Sequence, residues 1–232
     1  MADLVVAFDL PTGKEALALA SCLPGLLWAK IGPVLFVREG PALVREFSAR
    51  GIRVFLDLKW HDIPNTVAGA VEGARELGVS LATLHCLGGA AMMAAARKAA
   101  GDPGTKGAMD LVGVTVLTSH DAGGFETVVG RGVPDLGMEV VRLARLARDA
   151  GLRGVVASGH EVSLLREALG AEAWLVVPGI RAPTDAPGDQ ARTVTPGEAV
   201  RRGATHLVVG RPITGARDPL TAYRGILDAM MA

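Results

Sequence analysis

Amides are almost missing from this chain: it has one asparagine, Asn65, and one glutamine, Gln190, in 232 residues. Lysine is scarce as well, with five against 19 arginines. Loss of thermolabile amides accompanies thermal adaptation, and a GC-rich genome favours Ala, Gly and Arg in the same way. Either cause makes each remaining amide and lysine worth locating. The two cysteines, Cys22 and Cys86, have no metal-ligand spacing, and a reduced, cytoplasmic protein is the simplest reading. No run of ~18 apolar residues occurs, which argues against a membrane span. With 24 basic and 24 acidic residues the formal charge is zero. Neither a basic stripe nor a charge block is present, so nothing suggests a nucleic-acid or membrane surface. The opening MADLVVAFDL has an acid at position 3 and no basic n-region, and reads as a first strand rather than a signal peptide.

What is present is apolar: half of the residues are hydrophobic. Eight apolar, β-branched runs recur: 4–9, 26–31, 52–58, 79–85, 111–118, 153–158, 173–179 and 206–210. Between them lie segments with helical periodicity such as TVAGAVEGARELG and MEVVRLARLARDAG, several stopped by Gly, as at Gly51, Gly78 and Gly151. Continuous apolar strands alternating with helices argue for parallel strands buried on both faces. A single (β/α)8 TIM barrel over residues 1–232 fits the count and the length. A doubly wound open sheet is the rival. Two longer segments after strands, 119–136 and 180–195, read as loops, of a length usually associated with function.

In such a barrel the active face lies at the carboxyl ends of the strands, and the polar residues collect there. Strand 1 ends at Asp9, strand 2 carries Lys30, strand 3 ends with Asp57 and Lys59, strand 4 with His85, strand 5 with Thr118 and Ser119. Asp57 and Lys59 are two apart, so they share a face, while Leu56 and Leu58 point to the helices. Lys30 on the neighbouring strand comes within reach. A structural ion-pair network closing the barrel top is the alternative. Burying ions costs several kcal/mol each unless they are well paired, so their position at the functional face favours chemistry.

A cationic group follows strands 7 and 8: VVPGIR with Arg181, then Gln190, then VVGRP with Gly210 and Arg211. Loops after those two strands often form a phosphate site in barrels of this type. Gly210 admits an anion close to the backbone, Arg211 offers a forked donor, and Pro212 suits a first helical position. An ordinary Gly-Arg-Pro turn is the plain alternative. His61 reads as a packing or interface residue and His85 as a hydrogen-bonded wall of the pocket. His120, His160 and His206 form no ligand pattern, and the three tryptophans read as packing.

The stretch Asp57-x-Lys59-x-x-Asp62-Ile63-Pro64-Asn65-Thr66 resembles the signature of the orotidine 5'-phosphate decarboxylase family. Asp9 in AFD, Lys30 in WAKIG, Thr118 in VLTS, Arg181 in VVPGIR, Gln190 in GDQAR and Gly210-Arg211 in VVGRPI are similar to that family's other site residues, in the same order. The resemblance implies a homodimeric barrel that makes UMP with no metal and no organic cofactor. It implies catalytic roles for Lys59, Asp57, Asp62 and Lys30, with Asp62, Ile63 and Thr66 supplied to the other subunit's site. Asp9 and Lys30 would hold ribose hydroxyls and Thr118 the pyrimidine. Arg181, Gln190, Gly210 and Arg211 would bind phosphate, with 180–190 as a lid. Two other readings keep part of this pattern: a Mg2+-dependent sugar-phosphate decarboxylase or aldolase with the same Asp-x-Lys-x-x-Asp core, and a silent nucleotide-phosphate binding module.

Overall fold

A computed structural model describes residues 2–181 and 193–232. Eight parallel strands close on themselves in sequence order: β1 (Asp3–Ala7), β2 (Trp28–Ile31), β3 (Arg53–Trp60), β4 (Val79–His85), β5 (Asp110–Val114), β6 (Gly154–Val156), β7 (Trp174–Val177) and β8 (His206–Val209). Each expected run overlaps one of them, with Asp9 two residues past the end of β1, and the open-sheet alternative is excluded by the pairing of β1 with β8. Helices between the strands cover the outside, and the described residues form one barrel unit.

Period-two alternation sorts every strand into an inner and an outer face. Leu4, Val6 and Phe8 face the helices, in the layer that also holds Leu56, Leu84 and Leu207. Val5 and Ala7 face inward, with Phe55, Leu81, Val112, Val176 and Val208. The registers Val5↔Trp28 and Ala7↔Lys30, then Lys30↔Phe55, stack the inward residues of β1 to β3 in tiers. The lowest tier is an aromatic and charged plug. Trp28 and Trp174 meet edge-on at 6.4 Å, His206 packs on both rings, and Arg53 lies 4.4 Å over Trp28. Asp3 joins this plug by accepting from Trp28 Nε1 at 2.8 Å and from Arg53 at 3.2 Å. Above it comes the apolar tier, and above that the charged mouth formed by Asp9, Lys30, Asp57 and Lys59.

Two sequence expectations change. The segment 119–136, read as a loop, contains a helix at Ala122–Val129. Its Gly-Gly pair disfavours a helix, but Asp121 caps the start by accepting from Gly124 N at 2.8 Å, and Gly130 ends it in the left-handed conformation. The fifth strand stops at Val114, so Thr118 lies four residues past it in the following turn.

Candidate active site

The mouth of the barrel holds a cleft of about 550 Å³. Asp9, Lys30, Asp57 and Lys59 line one wall and Phe55, Val176 and Val208 the floor. Thr118, Arg181, Gly210 and Arg211 also line it, so eight of the expected site residues meet in one cavity.

The charged wall is a chain of alternating sign. Lys30 Nζ lies 3.0 Å from Asp9 Oδ1 and 3.8 Å from Asp57 Oδ2. Lys59 Nζ donates to both oxygens of Asp57, at 2.9 and 3.0 Å. The side chains of Lys30 and Asp57 are only 9% and 14% exposed. Charges so far from water need this mutual pairing. Gly32 leaves room for it: a Cβ there would come 2.9 Å from Asp9 Oδ1 and 3.0 Å from Lys30 Nζ.

Local backbone sets the aim of Lys59. Its φ of 51° makes it the one non-glycine in the left-handed region among the described residues. A conformation of that kind costs about 1–3 kcal/mol and persists only when its surroundings hold it. The register between β3 and β4 shifts between Leu56↔Ala82 and Trp60↔Leu84, so this stretch of β3 absorbs two extra residues in a bulge. Thr83, fully buried on β4, closes the bulge. Its hydroxyl accepts from Lys59 N at 2.8 Å and donates to Asp57 Oδ1 at 3.0 Å. One side chain thus fixes both the strained peptide and the carboxylate that grips the ammonium. Sequence reading missed Thr83; its one signal is that it sits two residues before His85 on an inward face otherwise occupied by Leu81.

Asp62 does not flank Lys59 within the same chain. β3 has ended at Trp60, and the exposed Asp62 turns its carboxylate back onto Ile63 N at 2.6 Å. Ile63 is 66% exposed, and Thr66 is exposed on the first turn of the helix Pro64–Glu76. His85 does not line the cleft; its Nδ1 accepts from Leu87 N at 3.3 Å and its ring stacks on His61, centroids 5.5 Å apart. Burial, then His61 and then Lys59, lower its pKa to about 4. Gln190 and most of the expected lid lie outside the described residues.

The sequence of residues 2–226 matches the family model described as "Orotidine 5'-phosphate decarboxylase / HUMPS family". The chain belongs to this family. Relatives named orotidine 5'-phosphate decarboxylase include one from Alkalilimnicola ehrlichii, 52% identical over 94% of this chain and 92% of the relative. Another, from Nitrosococcus oceani, is 46% identical over 96% of this chain and 95% of its own length. A crystal structure of orotidine 5'-phosphate decarboxylase from Lactobacillus acidophilus superposes with a TM-score of 0.88 at 33% identity, covering all of both chains. Membership therefore extends over the whole barrel, including the strand ends that build the cleft.

Proposed function

We propose that this chain decarboxylates orotidine 5'-phosphate to UMP, and that it does so without a metal or organic cofactor. The observation that carries the reading is the Asp9–Lys30–Asp57–Lys59 chain in a cleft whose far side carries Arg181, Gly210 and Arg211. The full-length likeness to named decarboxylases supports it.

Loss of CO2 from C6 of orotate leaves a lone pair on an sp2 carbon that cannot spread into the ring π system. Lys59 meets that charge with its ammonium and then delivers the proton. Asp57 holds Lys59 in position beforehand, so little reorganisation accompanies the reaction. It also crowds the substrate carboxylate: two unit charges 4 Å apart repel by ~4 kcal/mol at an effective dielectric near 20. That stress ranks below direct stabilisation of the carbanion. Lys30 and Asp9 bind ribose hydroxyls and Thr118 the pyrimidine. Arg181, Gln190 and Arg211, with the Gly210 backbone, hold the phosphate, whose binding energy is spent on fixing the base against Lys59.

The exposed Asp62, Ile63 and Thr66 serve the cleft of a second copy, making the working unit a homodimer; their exposure beside the cleft supports this. Two unpaired cysteines, Cys22 and Cys86, suit a reducing cytoplasm. The direct test is loss of orotate absorbance from orotidine 5'-phosphate in the presence of EDTA. Undiminished turnover is expected. Turnover that requires added Mg2+ would favour the sugar-phosphate reading of the same core, and UMP binding without CO2 release would favour a silent binder.

A further inference from the structure

The turn after β6 lies outside the cleft, yet it touches the backbone that carries Arg181. Val194 is the link. Ile180 and Val194 form a parallel bridge, Arg181 N donates to Val194 O at 3.0 Å, and Val194 N donates to Gly179 O at 3.3 Å. The Val194 side chain is 5% exposed and packs directly onto Gly159. A Cβ on Gly159 would lie 2.8 Å from Val194 Cγ1, 3.0 Å from its Cβ, and nearer still to Cγ2. Valine is stiff at χ1 and has no far end to swing away.

Two further bonds hold the same place. His160 Nε2 meets Thr193 O at 3.2 Å, and because a carbonyl only accepts, that nitrogen carries the proton. Arg202 donates to Gly159 O at 2.8 Å and to Glu198 Oε1 at 2.6 Å, tying the turn to the helix Pro196–Arg201. Neither Gly159 nor His160 lines the cleft. Gly159 has no positive φ, so its backbone does not require glycine. What requires glycine is the seat for Val194.

We propose that Gly159 is a positioning residue for the phosphate end of the cleft: its bare Cα seats Val194, and the seated Val194 fixes the backbone from which Arg181 reaches the phosphate, with His160 as a second hold. The proposal rests on the reading of Arg181 as a phosphate ligand.

The test compares orotidine 5'-phosphate with its phosphate-free nucleoside, orotidine. Gly159→Ala displaces Val194 and lowers kcat/KM for the phosphorylated substrate about tenfold or more, mainly through KM, while orotidine turnover stays within about twofold. Adding Val194→Ala removes the clashing γ carbons and recovers part of the loss, whereas Val194→Ala alone empties the seat and itself lowers kcat/KM for the phosphorylated substrate. His160→Ala, an exposed site that leaves folding intact, produces the same selectivity at about threefold, and His160→Gln, whose amide places a donor where Nε2 stood, restores it. Arg181→Ala is the control. If Arg181→Ala slows both substrates equally, the phosphate assignment itself fails. If Arg181→Ala is selective but Gly159→Ala and His160→Ala slow both substrates alike or neither, the positioning role is overturned. Should Gly159→Ala not fold, the His160 pair decides alone.

Discussion

Thr83 concentrates the residue-scale physics of the site. It is fully buried, accepts from the amide of a lysine held at φ 51°, and donates to the carboxylate that holds the same lysine's ammonium. Thr83→Val keeps the shape and removes both bonds. The Lys59 amide is then buried without a partner, at about 1–3 kcal/mol, and Asp57 loses one donor. We expect kcat to fall by about 10- to 100-fold with KM for orotidine 5'-phosphate little changed, since neither bond touches the substrate. A variant with wild-type kcat would show that the bulge holds Lys59 without this hydroxyl. Asp57 and Lys59 were legible in the sequence because a charged pair two apart in an apolar strand has few structural excuses. Thr83 was not, because a hydroxyl inside VSLATLH carries no spacing signal; only the register of β3 on β4 shows what it meets.

At the scale of elements, the segment between β3 and the helix Pro64–Glu76 turns its polar residues away from its own cleft. Asp62 caps Ile63 N, and Ile63, Asn65 and Thr66 are exposed. If these residues complete the cleft of a second copy, inactive Lys59→Ala and Asp62→Ala proteins mixed and re-equilibrated must regain activity, because one site of the heterodimer keeps both residues. Recovery approaching a quarter of the wild-type rate per site is expected on the order of random exchange, and no recovery would show that each subunit works alone. The eight strands were readable because parallel strands buried on both faces appear as unbroken apolar runs. The helix Ala122–Val129 was not, because its Gly-Gly pair masks an Asp cap and a glycine stop that act only once the helix forms.

Across the whole molecule the barrel is closed at one end by the plug of Trp28, Trp174, Arg53 and His206 and is open at the other. The plug went unread because each of its residues passes for ordinary packing until the strand registers bring them into one tier. It ties stability to pH. Burial, opposed by Asp3 and reinforced by Arg53, lowers the His206 pKa to about 4 from 6.5. The folded protein therefore keeps this ring neutral while the unfolded chain takes up a proton below pH 6.5. Stability is fully present above that value and falls as pH drops toward 4. His85, lowered to about 4 by burial, His61 and Lys59, acts in the same direction. Between pH 7.5 and 5.5, where most carboxylates stay ionised, each such histidine removes about 1 kcal/mol. Urea unfolding at both pH values measures the loss, and His206→Phe should shrink it by its share. An unchanged pH dependence in that variant would show that the plug histidine is not the source.

The central claim is that the ammonium of Lys59, held by Asp57, meets and then protonates the charge formed at C6. The most direct measurement is the single-turnover rate of Lys59→Ala on orotidine 5'-phosphate, with UMP binding determined on the same preparation. The account predicts a rate lower by on the order of 10^4 or more with UMP binding retained. A variant keeping ~10% of the wild-type rate, a cost of only ~1.4 kcal/mol, would contradict it.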